Sequence, residues 1–111
     1  ALRLGVPFSM HSDAPVTPVD PLFTMWCAVN RLTSAGNVLG PSERITGLQA
    51  LRAMTIDSAW LLHLDREMGS IESGKRADFA VLDDDPMTVD PMAIRDIRVA
   101  ATVLGGRVFA D

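Results

Sequence analysis

Two ionisable residues near the amino terminus, His11 and Asp13, have the types and spacing that chemistry could use. Asp13 follows the apolar run Leu4–Met10 and precedes a stretch holding Pro15, Pro18 and Pro21. A carboxylate at the end of a buried strand stands where the catalytic groups of an α/β barrel sit. There it could hold a divalent metal, or take a proton from a water that a metal has acidified. The plainer alternative is a turn residue whose carboxylate accepts backbone donors ahead of a proline loop. His11 lies two residues away, so on a strand both side chains would share a face. One His and one Asp are at most half a metal site, and such sites need further ligands.

Other reactive residue types carry less. His63 falls near a helix C-terminus, an ordinary place for a partly charged imidazole, and reads as structural or solvated. Cys27 sits mid-helix among apolar neighbours without a nearby base, so it packs as a small hydrophobe. Asp83-Asp84-Asp85 lacks the glycine and terminal glutamate of an EF-hand loop and reads as a solvated turn. Glycines 69, 74, 105 and 106 open no helix and therefore form no phosphate-binding fingerprint. The six methionines are scattered and suit core filling.

The elements that would position these residues follow from patterning. Leu4–Met10 has the character of a strand buried on both faces, although Pro7 removes one donor. Such a strand needs neighbours, and the sequence offers no other candidate before about residue 70. We expect those neighbours in sequence missing upstream rather than in a second subunit. Asp20 with Pro21 marks a helix start, and Leu22, Met25, Trp26 and Val29 form one apolar face through about Arg31. Residues 34–41 read as loop. Thr46-Gly47-Leu48-Gln49 is a capping box, followed by a stripe of Leu48, Leu51, Thr55, Ala59 and Leu62 with Arg52 facing away. Asp57 is expected to interrupt this stretch and cap a short helix carrying Trp60 and Leu61. Beyond it, residues 69–75 read as a short strand and glycine turn, and 79–82 as a strand stopped by Asp83–Pro86. Segments 99–104 and 107–110 flank Gly105-Gly106, a two-residue hairpin signal.

Composition narrows the classes. With 111 residues, 48% hydrophobic and 22% charged, the chain is globular in character and about one domain long. Ten basic against fourteen acidic residues give a net charge of −4, without a basic run, which argues against a nucleic-acid partner. One cysteine excludes an internal disulfide and a four-thiolate zinc site, and a reducing cytoplasm is the natural compartment. No apolar run approaches a membrane span.

The ordered set of motifs carries a resemblance. Ser12-Asp13-Ala14-Pro15-Val16, Ala28-Val29-Asn30-Arg31, Gly40–Ile45 and Ala50–Ile56 occur in one order. Gly69-Ser70-Ile71-Glu72-Ser73-Gly74-Lys75-Arg76-Ala77-Asp78-Phe79-Ala80-Val81-Leu82-Asp83 is the most specific run, and Val103–Val108 closes the series. Together they resemble the C-terminal part of the amidohydrolase superfamily, in particular amidohydrolase family 3 and its deformylase-like branch. The resemblance implies an α/β fragment: the last strand and helices of a metal-dependent hydrolase (β/α)8 barrel, or TIM barrel, followed by a small C-terminal β-sandwich portion. Residues 1–66 would be the end of the barrel and 67–111 the β segment of the composite sandwich. Asp13 would match the strand-eight aspartate, both catalytic and in contact with a divalent metal, zinc foremost. The family's other metal-binding residues have no counterpart here, and no role passes to His11.

The leading expectation is therefore the C-terminal part of a hydrolase cleaving a non-peptide C–N bond in a small-molecule substrate. Alone, this chain should be inactive and hold no metal tightly. The alternatives are a non-catalytic regulatory or interaction module on the same fold, and an independent small α/β domain with its own ligand. The missing N-terminal part of a parent chain is the expected partner. Strands deprived of it would expose edges and apolar faces, so the isolated chain is expected to form a homo-oligomer.

Overall fold

The structure, a computed structural model, describes residues 1–110. Helix α1 (Pro21–Asn30) starts where the sequence places it. The Asp20 carboxylate accepts the Phe23 N–H at 3.0 Å, and Pro21 occupies the first turn, where its missing donor costs nothing. The helix ends at Arg31, whose φ of 53° is left-handed and whose N–H donates to the Cys27 carbonyl. Helix α2 (Gly47–Met54) carries the complete capping box: Gln49 N–H donates to the Thr46 hydroxyl, and Thr46 N–H to the Gln49 side-chain oxygen.

The core lies between α1, α2 and a 3-10 turn at Pro91–Asp96. Leu22, Met25, Trp26 and Val29 are all buried, as the helical spacing requires, and pack with Ala50, Ile94 and Ile97. Each large apolar side chain placed there contributes about 1.5–3 kcal/mol. Asn30 is the buried polar residue of this core, and its amide donates to the Trp26 carbonyl at 3.0 Å and the Pro91 carbonyl at 2.8 Å. Trp26 adds an indole N–H donation to the Met92 carbonyl, and the Arg95 guanidinium lies 4.5 Å from its ring. The 91–96 turn is absent from the sequence reading. Its signal was present, since Asp90-Pro91 repeats the Asp20-Pro21 cap and Asp90 accepts the Met92 N–H.

The expected stripe along residues 48–62 is displaced. Thr55, with φ −122° and ψ −96°, breaks the helix, and a new helix α3 (Ile56–Leu61) begins out of phase. The break falls two residues before Asp57, which sits in the first turn of α3 and pairs with Arg52 rather than capping. The fully or nearly buried positions are Ala50, Ala53 and Ala59, while Leu48 and Leu62 are exposed. At Ala59 a small residue wins because the chain at Gly69 approaches closely. A Cβ on Gly69 would lie 2.7 Å from that of Ala59, and one on Gly47 would lie 2.6 Å from the Pro86 carbonyl oxygen.

The sheet contains β1 (Phe79–Leu82), β2 (Val99–Leu104) and β3 (Arg107–Ala110) in the order β1-β2-β3, antiparallel throughout. Gly105 and Gly106 make the expected two-residue turn with φ of 57° and 80°. Two other expected strands do not form. Residues 4–13, expected as a barrel strand, begin in a 3-10 turn and continue without a ladder partner, and Leu4 and Val6 are exposed. A strand buried on both faces exists only between neighbours, and among the described residues none lies beside it. Residues 69–75 run as turns instead of a strand, tied by Lys75 Nζ to the Ser70 hydroxyl and the Glu72 carboxylate.

Candidate functional site

The residues singled out for chemistry, His11 and Asp13, meet on one exposed turn. Asp13 adopts a left-handed backbone with φ 54°, a conformation that Asp tolerates better than most residues. Its carbonyl accepts the Val16 N–H at 2.8 Å, closing the turn that contains Ala14 and Pro15. Its own N–H donates to His11 Nδ1 at 3.0 Å. The Thr17 hydroxyl donates to the Ser12 carbonyl and ties the turn to the proline loop. Among the described residues nothing donates a hydrogen bond to the Asp13 carboxylate, so there it is not the turn cap that the plainer sequence reading describes. It faces solvent, available to a group outside this chain.

The remaining candidates stay where ordinary packing puts them. His63 lies just past α3 with φ 59° and is exposed. Cys27 packs against the core; burial pushes its thiol up, partly offset by the Arg95 charge. Asp83 pairs with Arg98, and Asp85 accepts the Met87 N–H, which makes the acidic triplet a turn. No group of three or more His, Cys, Asp and Glu residues that could hold a metal occurs among the described residues.

Two clefts border the core without reaching His11 or Asp13. One, of about 610 Å³, lies between Asn30, Arg44, Thr46 and Asp90. The other, of about 880 Å³, is an apolar groove between Leu51, Met54, Met68, Phe79 and Met87. The most specific motif run, 69–83, serves structure. The Asp78 carboxylate accepts the Gly105 N–H at 2.7 Å, and the Ala77 carbonyl accepts the Gly106 N–H, so the motif holds the closing hairpin. Lys75, with only 10% of its side chain exposed, holds the preceding turn. Sequence reading identified this run by its pattern but not these duties.

The amidohydrolase family model matches residues 1–110. The chain belongs to the amidohydrolase family. This amidohydrolase chain is 42% identical over 105 residues to the N-substituted formamide deformylase of Arthrobacter pascens, covering 95% of the chain and 19% of that enzyme. It is 35% identical over 110 residues to a Bacillus subtilis protein named as an amidohydrolase, covering 96% of the chain and 21% of that protein. It therefore spans about a fifth of the length of these relatives. A crystal structure of an amidohydrolase from Thermotoga maritima has the same fold over 99% of this chain and 24% of its own, with a TM-score of 0.70 at 23% identity. Among the described residues, no helix is long and apolar enough to cross a membrane.

Proposed function

We propose that this chain is the C-terminal part of a metal-dependent hydrolase that cleaves a non-peptide C–N bond, an amide or formamide, in a small molecule. The observation that carries the reading is the family match from residue 1 to 110, a span that includes Asp13, whose carboxylate is exposed and has no partner among the described residues. The 42% identity to a formamide deformylase supports the choice of bond.

Asp13 accepts a proton from the attacking water and passes it to the departing nitrogen, which cannot leave as an anion. The turn exposes the carboxylate for that exchange. A divalent cation, zinc foremost, would supply the charge that acidifies water and polarises the carbonyl. The donors of this chain do not complete a site for it, since His11 and Asp13 stand on one turn without a third ligand among the described residues. Asp13 is the single ligand contributed here, residues 1–66 flank it as the end of a barrel, and the isolated chain is inactive.

The partner of this chain is the remainder of the enzyme. Phe79, Val81, Ala101, Val103, Val108 and Ala110 share one face of the sheet by register, and no polar residue interrupts them. That face belongs against further β structure, in the composite sandwich of residues 67–111. Left uncovered, it drives self-association of the isolated chain into a homo-oligomer in the cytoplasm.

The test is Asp13→Asn in the longer enzyme. Turnover is expected to fall at least about 100-fold, with circular dichroism and melting temperature unchanged. Wild-type turnover by a folded variant would leave Asp13 as a turn residue and favour a non-catalytic module.

A further inference from the structure

We infer that His11 is a positioning residue for Asp13, acting through its ring nitrogen on the Asp13 main chain rather than on substrate or metal. The inference rests on the reading of Asp13 as the proton-transferring carboxylate. Its basis is one contact: the Asp13 N–H donates to His11 Nδ1 at 3.0 Å.

That contact sits at the place where it matters most. Asp13 has a left-handed backbone, φ 54°, which costs an L residue free energy even where Asp tolerates it, so contacts that hold it matter. On its carbonyl side that contact is the Val16 N–H at 2.8 Å. On its amide side it is the imidazole alone. The rotation at Asp13 sets the direction in which its Cβ, and hence its carboxylate, leaves the chain. Both residues are exposed, so without the ring the amide would turn to water and the carboxylate would sample other directions.

The geometry also defines the state of the ring. A nitrogen that accepts an N–H carries no hydrogen, so the neutral ring holds its proton on Nε2. Nδ1 is engaged with the main chain and is not available as a ligand. His11 thus contributes an acceptor at a fixed reach, two residues before the amide it serves. Asparagine can offer an acceptor at that same spacing, because its side-chain oxygen bonds the N–H two residues on. Phenylalanine keeps the ring's bulk and loses the acceptor.

Those two substitutions separate positioning from packing. In the longer enzyme, His11→Phe is expected to lower kcat by up to about 100-fold with KM little changed, the size of effect a small misplacement produces. His11→Asn is expected to recover most of that loss. A His11→Phe enzyme with wild-type kcat, or a folded His11→Asn enzyme as slow as His11→Phe, would overturn the inference. Asp13→Asn run beside them keeps the two ideas apart: if it is active, the reading of Asp13 fails; if it is dead while His11→Phe is normal, only the positioning role fails. A second measurement needs no activity. In the 15N-labelled 111-residue chain, a nitrogen–nitrogen coupling across the hydrogen bond should link the Asp13 amide to His11 Nδ1. A ring protonated on Nδ1, with no such coupling, would refute the contact itself.

Discussion

The helical core around α1 and the amino-terminal segment 1–19 both carry large apolar side chains and have opposite fates. Leu22, Met25, Trp26 and Val29 find Ala50, Ile94 and Ile97 within the same chain and disappear from water. Leu2, Leu4 and Val6 find no such neighbours and remain exposed, although Met10 packs at the edge of the core. Leu against Leu, the difference is one of partners. A helix can bury one stripe against two short elements, whereas a strand must be paired on its edges before it can be buried at all. The turn at His11 and Asp13, the proposed site, is attached to the segment that this chain leaves open. A site so placed is held locally, by main-chain bonds and one imidazole, while the core beneath α1 is held by packing.

The contrast predicts unequal responses to substitution. Trp26→Ala should cost about 3–5 kcal/mol in urea unfolding, because it removes a nearly buried indole, its bond to Met92 and the Arg95 contact. A loss below 1 kcal/mol would show that the core is not where stability resides. Asp78→Ala should cost about 1.5–3 kcal/mol, since it strips a charged acceptor from the Gly105 N–H that holds the hairpin. Loss of amide protection at Gly105 without change at α1 would locate the effect.

A smaller and pH-dependent effect is expected at Glu72. Its hydrogen bond to Lys75 and the Lys75 charge hold its carboxyl below the usual carboxylate range. The folded value lies below the unfolded one, so the contribution is present above the unfolded pKa and fades as pH falls through the folded value. Glu72→Gln should therefore be less stable than the parent chain at pH 7, with the gap closing in acid; an equal gap at both pH values would contradict the linkage. The smallest change belongs to the open segment. Leu4→Ser with Val6→Ser should leave unfolding within about 0.5 kcal/mol, as surface positions do. A core-sized loss there would erase the contrast between the two regions.

Local chemistry was legible from the sequence wherever the partner lies a few residues away. The Asp20-Pro21 start, the Thr46–Gln49 capping box, the Gly105-Gly106 turn and the strand at 79–82 all stand where the pattern places them. The stripe on 48–62 is displaced because a single residue, Thr55, breaks the helix, and because the close approach of Gly69 favours a small side chain at Ala59. At the site, the sequence named His11 and Asp13 but put them side by side on a strand. In the structure they meet on a turn, where the ring accepts the Asp13 N–H.

By itself the sequence determined the caps, the turns, the apolar face of α1 and the family, because each depends on short spacings or on an ordered set of motifs. Only the tertiary structure decided which apolar runs are buried, that Asn30 joins α1 to the 91–96 turn, and that Asp78 secures the hairpin across 27 residues of chain. It also decided that the run before Asp13 is not a strand. Burial and pairing are properties of two surfaces meeting, and a sequence specifies one surface at a time.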